Sequence, residues 1–201
     1  AASEAYYKEG FSPMSDQDFD FGVKELEALE ASHPEWRTQN SVTQEIGNDL
    51  LNDFAKVEHR IPMLSISNAY SKEEVEDFIR QATERVPSAK EWVCERKIDG
   101  ISMSLTYQNG LLVRAATRGN GSVGDDVTAN VKTIEDVPHK LIGAPSGFLE
   151  VRGEVYMEFK TFEFLNDELE ERGIQGFQNP RNTASGTLKL KGPKECAKRK
   201  L

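Results

Sequence analysis

Along residues 16–31 apolar side chains return every three to four positions, at Phe19, Val23, Leu26 and Leu29. This predicts an amphipathic helix with that face turned inward. Ser15 stands where an N-cap belongs, the early aspartates suit a positive helix start, and His33-Pro34 closes the pattern. Residues 35–60 are polar, with weaker periodicity at Ile46, Leu50, Leu51 and Phe54, and read as a connection. Ser71 and Glu74 have capping-box spacing and open a second helix expected to bury Val75, Phe78, Ile79 and Ala82. From Trp92 the period falls to two. Glu91–Asp99 is expected to be a strand, with Glu95, Lys97 and Asp99 on one face and Trp92, Cys94 and Ile98 on the other, Arg96 interrupting the second. Ile101, Met103, Leu105 and Tyr107 then alternate with polar residues, Asn109-Gly110 supplies a tight turn, and Leu111–Thr117 returns as the second arm of a hairpin. Phe148–Val155 reads as a further strand. Phe159–Glu171 reads as a helix with Phe162, Leu165 and Leu169 inward, ended by Gly173. The expected class is α+β: a small helical unit over residues 1–52, then a mixed domain of antiparallel sheets and flanking helices over residues 53–201.

Composition narrows this only a little. With 37% apolar and 29% charged residues the 201-residue chain suits a folded domain and excludes wholesale disorder. No stretch approaches the ~20 apolar residues of a membrane helix, and AASEAYYKEG lacks the apolar core of a signal peptide. Cys94 and Cys196 cannot build a disulfide framework and form no zinc-type pair, so a reduced, cytoplasmic protein is expected. The net charge of −9 is uneven: residues 1–70 carry 13 acidic and 5 basic side chains, residues 189–201 one acidic and 6 basic. A basic end suits contact with phosphate or simple solvation equally well, so charge does not decide between them.

The chemistry concentrates in Glu95-Arg96-Lys97-Ile98-Asp99-Gly100. Aligned charges on one strand face either meet water as an ordinary ladder or line a site. A lysine with a pKa of ~10.4 is neutral in about one molecule in 2,500 at pH 7, so presenting its amine as a nucleophile costs ~4.6 kcal/mol. Desolvation or a nearby cation lowers that cost and flanking carboxylates raise it. Glu95 and Asp99 therefore need another task, such as holding a sugar hydroxyl or orienting the amine. Gly119-Asn120-Gly121 and Gly124 lack both the P-loop ending and the dinucleotide fingerprint spacing, and read as a flexible loop.

Lys97-Ile98-Asp99-Gly100 resembles the KxDG motif of covalent nucleotidyltransferases, which include DNA ligases, RNA ligases and mRNA capping enzymes. Four further segments narrow the resemblance: HRIPMLSISNAY (59–70), TRGNGSVGDDVTANV (117–131), LEVRGEVYM (149–157) and NPRNTASGTLKL (179–190). Together, and in this order, they resemble successive blocks of bacterial NAD⁺-dependent DNA ligases, while SDQDFDFGVKELEALEASHP (15–34) resembles that family's N-terminal helical domain. The resemblance implies that Lys97 attacks the α-phosphorus of NAD⁺, nicotinamide mononucleotide (NMN) leaves, and AMP remains on the lysine. AMP then passes to the 5′-phosphate of a nick in duplex DNA and the 3′-hydroxyl displaces it. It further implies that Glu95 and Asp99 support the adenylate, that Ser65 and Ile66 lie near the adenine, and that Arg118 holds ribose or phosphate. Glu154 would bind ribose, Arg181 would add a cation, and Tyr6, Tyr7, Asp16, Phe19 and Asp20 would grip NMN. Mg²⁺ is implied with no assignable ligands, and a cytoplasmic monomer is expected.

Each residue also has a plainer reading. Leu64 and Ile66 would be simply buried, and Phe19 would be core on its helix. Arg118 would be a solvent-facing hairpin end, Glu154 would pair with Arg152, and Asn-Pro-Arg-Asn would be a turn. Phe19 stands where the resemblance expects tyrosine, losing a hydroxyl, and Lys189 where it expects arginine, losing a planar fork. The family's later motifs, including two more lysines, have no counterpart before Leu201, so a piece of a ligase is expected, inactive by itself. The alternative is a non-catalytic nucleotide- or nucleic-acid-binding module derived from the same fold. ATP-using ligases share KxDG but not the SDQDFD and PMLSISN blocks.

Overall fold

The computed structural model describes residues 14–38, 41, 43 and 54–201. Ile46, Leu50 and Leu51, Tyr6 and Tyr7, and half of the expected connection lie outside the described residues. By its contacts the chain divides into two units, Ala1–Met63 with Asp99–Leu201, and Leu64–Ile98.

In the larger unit, helix α1 (Asp16–Ser32) starts as expected, Ser15 Oγ accepting from the Asp18 amide at 3.1 Å. His33 caps its end, and a 3-10 turn at Pro34–Trp36 follows, with the His33 and Trp36 rings stacked 4.0 Å apart. The covered face runs Phe19, Val23, Leu26, Glu30; Leu29 is exposed, contrary to the expected stripe. Both Leu29 and Glu30 flank the Leu26 direction on a helix, and hydrogen bonding chooses between them. Thr43 Oγ1 donates to the Glu30 carboxylate. Hydrogen bonds from Ser41 and Thr43 hold that carboxyl below its ordinary range.

The centre of the unit is a three-stranded antiparallel sheet in which Ile101–Gln108 lies between Leu111–Thr117 and Phe148–Val155. In chain order the strands are β1 (Lys56–Glu58), β2 (Ile101–Gln108), β3 (Leu111–Thr117), β4 (Val123–Asp125) and β5 (Phe148–Val155). The expected hairpin forms, with Asn109 and Gly110 at φ 51° and 77° in the left-handed geometry that a two-residue turn requires. Strand β5 spans the expected residues and pairs with β2 from Ile101↔Val155 to Gln108↔Phe148. A smaller two-stranded sheet, β1 with β4, was not expected from the sequence.

Alternation on β2 sorts the two faces. Ile101 and Met103 join Ala115, Val127, Val131, Ile134 and Leu188 in one buried cluster, with Phe54, Leu105, Val137, Val155 and Leu201 packed against it. The short helix α3 (Thr128–Val131) supplies Val131 to this core, and its Asn130 is buried too. The Asn130 amide donates to the carbonyls of Leu188 and Leu190 at 2.6 and 2.7 Å, so burial leaves it satisfied. In the larger unit α4 (Phe159–Glu171) also forms as expected, with Phe162, Leu165 and Leu169 half-buried and Gly173 at φ 68° closing it. Helix α5 (Pro180–Leu188) replaces the expected turn: Asn179 Oδ1 accepts from the Asn182 amide at 2.7 Å, and Pro180 sits in the first turn where its missing N–H costs nothing. Helix α6 (Pro193–Lys198) carries the buried Cys196, whose thiol burial pushes up.

The smaller unit, 64–98, contains one helix, α2 (Lys72–Arg85). Ser71 Oγ accepts from the Glu74 amide at 3.2 Å as expected, but the Glu74 carboxylate accepts from the Tyr70 amide instead of completing the box at Ser71. Val75, Phe78 and Ile79 are exposed, contrary to the expected buried face, with Phe78 edge-on to Trp92 at 5.8 Å. A unit of this length has too little chain to bury a helix face by itself. Glu91–Asp99 forms no strand either, because the described residues place no ladder partner beside it.

Candidate functional site

In the larger unit, residues from four separate sequence blocks meet at the end of the sheet where β2 begins and β3 and β5 finish. Ser102 lies opposite Glu154, and its Oγ donates to the Glu154 carboxylate at 2.9 Å. On the other side the Arg118 amide donates to the Ser102 carbonyl at 3.1 Å, just past the last residue of β3. Arg118, Ser102 and Glu154 thus form one row across three strands. Directly opposed residues share a face, so Glu154 and Ser102 project away from the Met103 core. Asp99 precedes β2, and its carboxylate accepts from the Arg181 guanidinium of α5 at 3.2 Å.

Gly100 explains why these groups come close. A Cβ there would run into the Val155 carbonyl and touch the Glu154 side chain, so only glycine lets the chain enter the sheet beside β5. The glycine of the Lys-Ile-Asp-Gly segment therefore sets the approach of Asp99 and Glu154. The expected Glu154–Arg152 pair does not form. Arg152 instead donates to Glu150 at 2.6 Å and, through its other nitrogens, to the Ile61 and Pro62 carbonyls.

The loop after Arg118 is not the open, flexible segment expected from its glycines. Asn120 Oδ1 accepts from the Ser122 and Val123 amides at 3.1 and 2.9 Å, and the Gly121 amide donates to the Arg118 carbonyl at 3.0 Å. It is a hydrogen-bonded turn leading into β4.

The smaller unit holds Ser65, Ile66, Glu95 and Lys97. Glu95 and Lys97 lie in the stretch 91–99, which forms no helix or strand and every residue of which is exposed. The shared strand face expected for Glu95, Lys97 and Asp99 is therefore not formed. Ser65 is exposed, and Leu64 and Ile66, which reading without the resemblance would bury, are 77% and 71% exposed. In α1, Asp16 and Asp20 occupy the first two turns and Phe19 is half-buried.

Three side chains important to the site's construction were not expected. His59 and Arg152 hold the segment 59–63 against the sheet end. Asp125 is fully buried, with Lys56 Nζ at 2.6 Å and Lys189 Nζ at 3.6 Å, the latter side chain only 8% exposed. A buried carboxylate between two ammonium groups needs both of them, and the sequence signal was the charge of Lys189 inside the apolar Leu188–Leu190 stretch. Among the described residues no three His, Cys, Asp or Glu side chains gather as metal ligands, and no helix is long and apolar enough to cross a membrane.

Comparison with known proteins adds the lineage. Residues 51–201 match the family described as the NAD-dependent DNA ligase adenylation domain, and residues 1–47 match a DNA ligase-like, N-terminal NAD⁺-binding domain. The chain belongs to the NAD⁺-dependent DNA ligase family. Curated relatives named DNA ligase include those of Bacteroides fragilis, 48% identical over 198 residues, and Marinobacter nauticus, 47% identical over 201 residues. Another, from Methylacidiphilum infernorum, is 48% identical over 199 residues. Each alignment covers 98% of this chain and 29–30% of the relative, so the chain spans about 30% of the length of the ligases it matches. The α+β class and the antiparallel sheets expected for a ligase adenylation domain are both present.

Proposed function

We propose that this chain carries the adenylate-accepting half-reaction of a DNA ligase, with Lys97 as the nucleophile. The supporting observation is the sheet end, where Asp99, Arg118, Glu154 and Arg181, drawn from separate blocks, meet around Gly100 and Ser102. In this reading the Lys97 amine attacks the α-phosphorus of NAD⁺ and a P–N bond forms. The P–O bond to NMN breaks, NMN departs with the electron pair, and the amine proton passes to solvent. AMP then moves to the 5′-phosphate of a nick in duplex DNA, and the 3′-hydroxyl displaces it to close the strand.

Each residue takes a task that its chemistry suits. Arg118 and Arg181 present guanidinium forks to ribose or phosphate oxygens, and Glu154 accepts from ribose hydroxyls. Glu95 and Asp99 serve the adenylate, with Ser65 and Ile66 beside the adenine. Tyr6, Tyr7, Asp16, Phe19 and Asp20 serve NMN, the aromatics by stacking and the carboxylates by balancing the nicotinamide charge. Residues 1–52 then form the NMN unit and 53–201 the adenylate unit. The described residues do not by themselves form a Mg²⁺ site, so no step is assigned to the ion. A cytoplasmic monomer acting on DNA completes the reading.

The test is intact-mass measurement of the whole gene product after incubation with NAD⁺ or with ATP. A gain of one AMP from NAD⁺ and none from ATP is the expected result, and the reverse pattern overturns the reading. D16N and D20N should weaken use of NAD⁺ while leaving nick sealing by protein already carrying AMP intact; equal loss of both steps assigns these residues a structural role.

A further inference from the structure

The segment 59–63 crosses the sheet end in the larger unit, and the way it is fastened singles out one side chain. His59 Nε2 lies 3.0 Å from the Thr117 carbonyl and 3.2 Å from the Arg118 carbonyl. Both neighbours are pure acceptors, so Nε2 carries the proton and donates to the two of them. The His59 amide donates to the Ser122 carbonyl at 2.9 Å, and the Met63 amide to the Gly121 carbonyl at 2.8 Å. Residue 124 must be glycine for this fit: a Cβ there would strike the Thr117 carbonyl and come within 3.0 Å of His59 Nε2. The imidazole therefore closes the base of the 118–123 turn, joining its first carbonyl to the strand that precedes it.

Arg118 has left the β-ladder at this point. Its amide is tied to Ser102 and its carbonyl takes hydrogen bonds from Gly121 and His59. With both ends of its peptide held, the guanidinium departs from a defined point at the end of the Ser102–Glu154 row. We infer that His59 is a positioning residue for Arg118, acting on nucleotide use through the backbone without touching the nucleotide. This rests on the reading above, in which Arg118 serves the adenylate end of NAD⁺.

The test uses the whole gene product and follows AMP attachment against NAD⁺ concentration. H59A should raise the KM for NAD⁺ about tenfold, the equivalent of one net hydrogen bond of typical strength, with a smaller change in kcat. H59Q, whose amide can donate at the same reach, should restore most of that loss. In an R118A background, H59A should add little, because the residue it positions is gone. A merely structural histidine would give losses that multiply with R118A and would not separate Gln from Ala. Should H59A fail to fold, H59Q against H59E decides, since glutamate turns an acceptor toward two carbonyls; equal KM values for the two overturn the inference. Adduct formation with H59A matching the unaltered protein overturns this inference alone. No AMP adduct in the unaltered protein overturns the reading beneath it as well.

Discussion

At the Ser102 end of the sheet the candidates are held by strand pairing or by hydrogen-bonded partners, whereas residues 91–98, which carry Glu95 and Lys97, are all exposed and join no strand. In the first region Ser102 and Glu154, and Asp99 and Arg181, are joined by side-chain hydrogen bonds that a substitution would break. In the second a side chain can change with little effect on the fold. Stability and chemistry should therefore be coupled at the sheet end and separable around Lys97.

The largest expected effect tests that separation directly. K97A should abolish AMP attachment, and K97R should fail as well because a guanidinium stays protonated. Neither should shift folding stability by more than about 0.5 kcal/mol in urea titrations, as for other exposed side chains. Labelled adenylate still attached after either change would remove Lys97 from its assigned role.

Asp125 is the opposite case. D125A leaves Lys56 and the buried Lys189 without their shared carboxylate, and should cost about 3–5 kcal/mol of unfolding free energy. A cost under 1 kcal/mol would show that the two ammonium groups find other compensation.

Two apolar truncations sharpen the contrast at equal chemistry. M103A, at a 1% exposed core position, should cost about 2–5 kcal/mol, whereas F78A in the 64–98 unit, at 61% exposure, should stay near 0.5 kcal/mol. Comparable losses in urea midpoints would mean that the Phe78 face is covered in solution.

The smallest effect belongs to Glu30. Its carboxyl is held below its ordinary value by hydrogen bonds from Ser41 and Thr43, so this contribution to stability is present above the unfolded-state pKa and fades as pH falls through the folded value. T43V should raise the Glu30 pKa and flatten that acid-side loss, which NMR titration of the side chain would follow.

Much of the fold was legible because local signals and packing agree. Ser15, Ser71 and Gly173 mark helix ends, Asn109-Gly110 marks a hairpin, and β5 and α4 span their expected residues. The exceptions have two causes. Helix α5 was missed since Asn179-Pro180 reads equally as a turn or as a cap, and a short apolar pattern could not separate them. The strand expected at 91–99 and the buried face expected at Val75, Phe78 and Ile79 had the right periodicity but require a partner surface, which periodicity does not supply.

The site divides along the same line. The order of its blocks, the lysine and the surrounding charges were determined by the sequence alone, since residue chemistry and spacing are written there. Which groups pair was decided by tertiary structure: Ser102 with Glu154, Arg181 with Asp99, Arg152 with the 61–62 carbonyls, and His59 with Thr117 and Arg118. Those partners lie 52 to 91 residues apart in the Ser102–Glu154 and Arg152–Ile61 cases, and only the sheet register and the clearance at Gly100 bring such distant atoms within hydrogen-bond range.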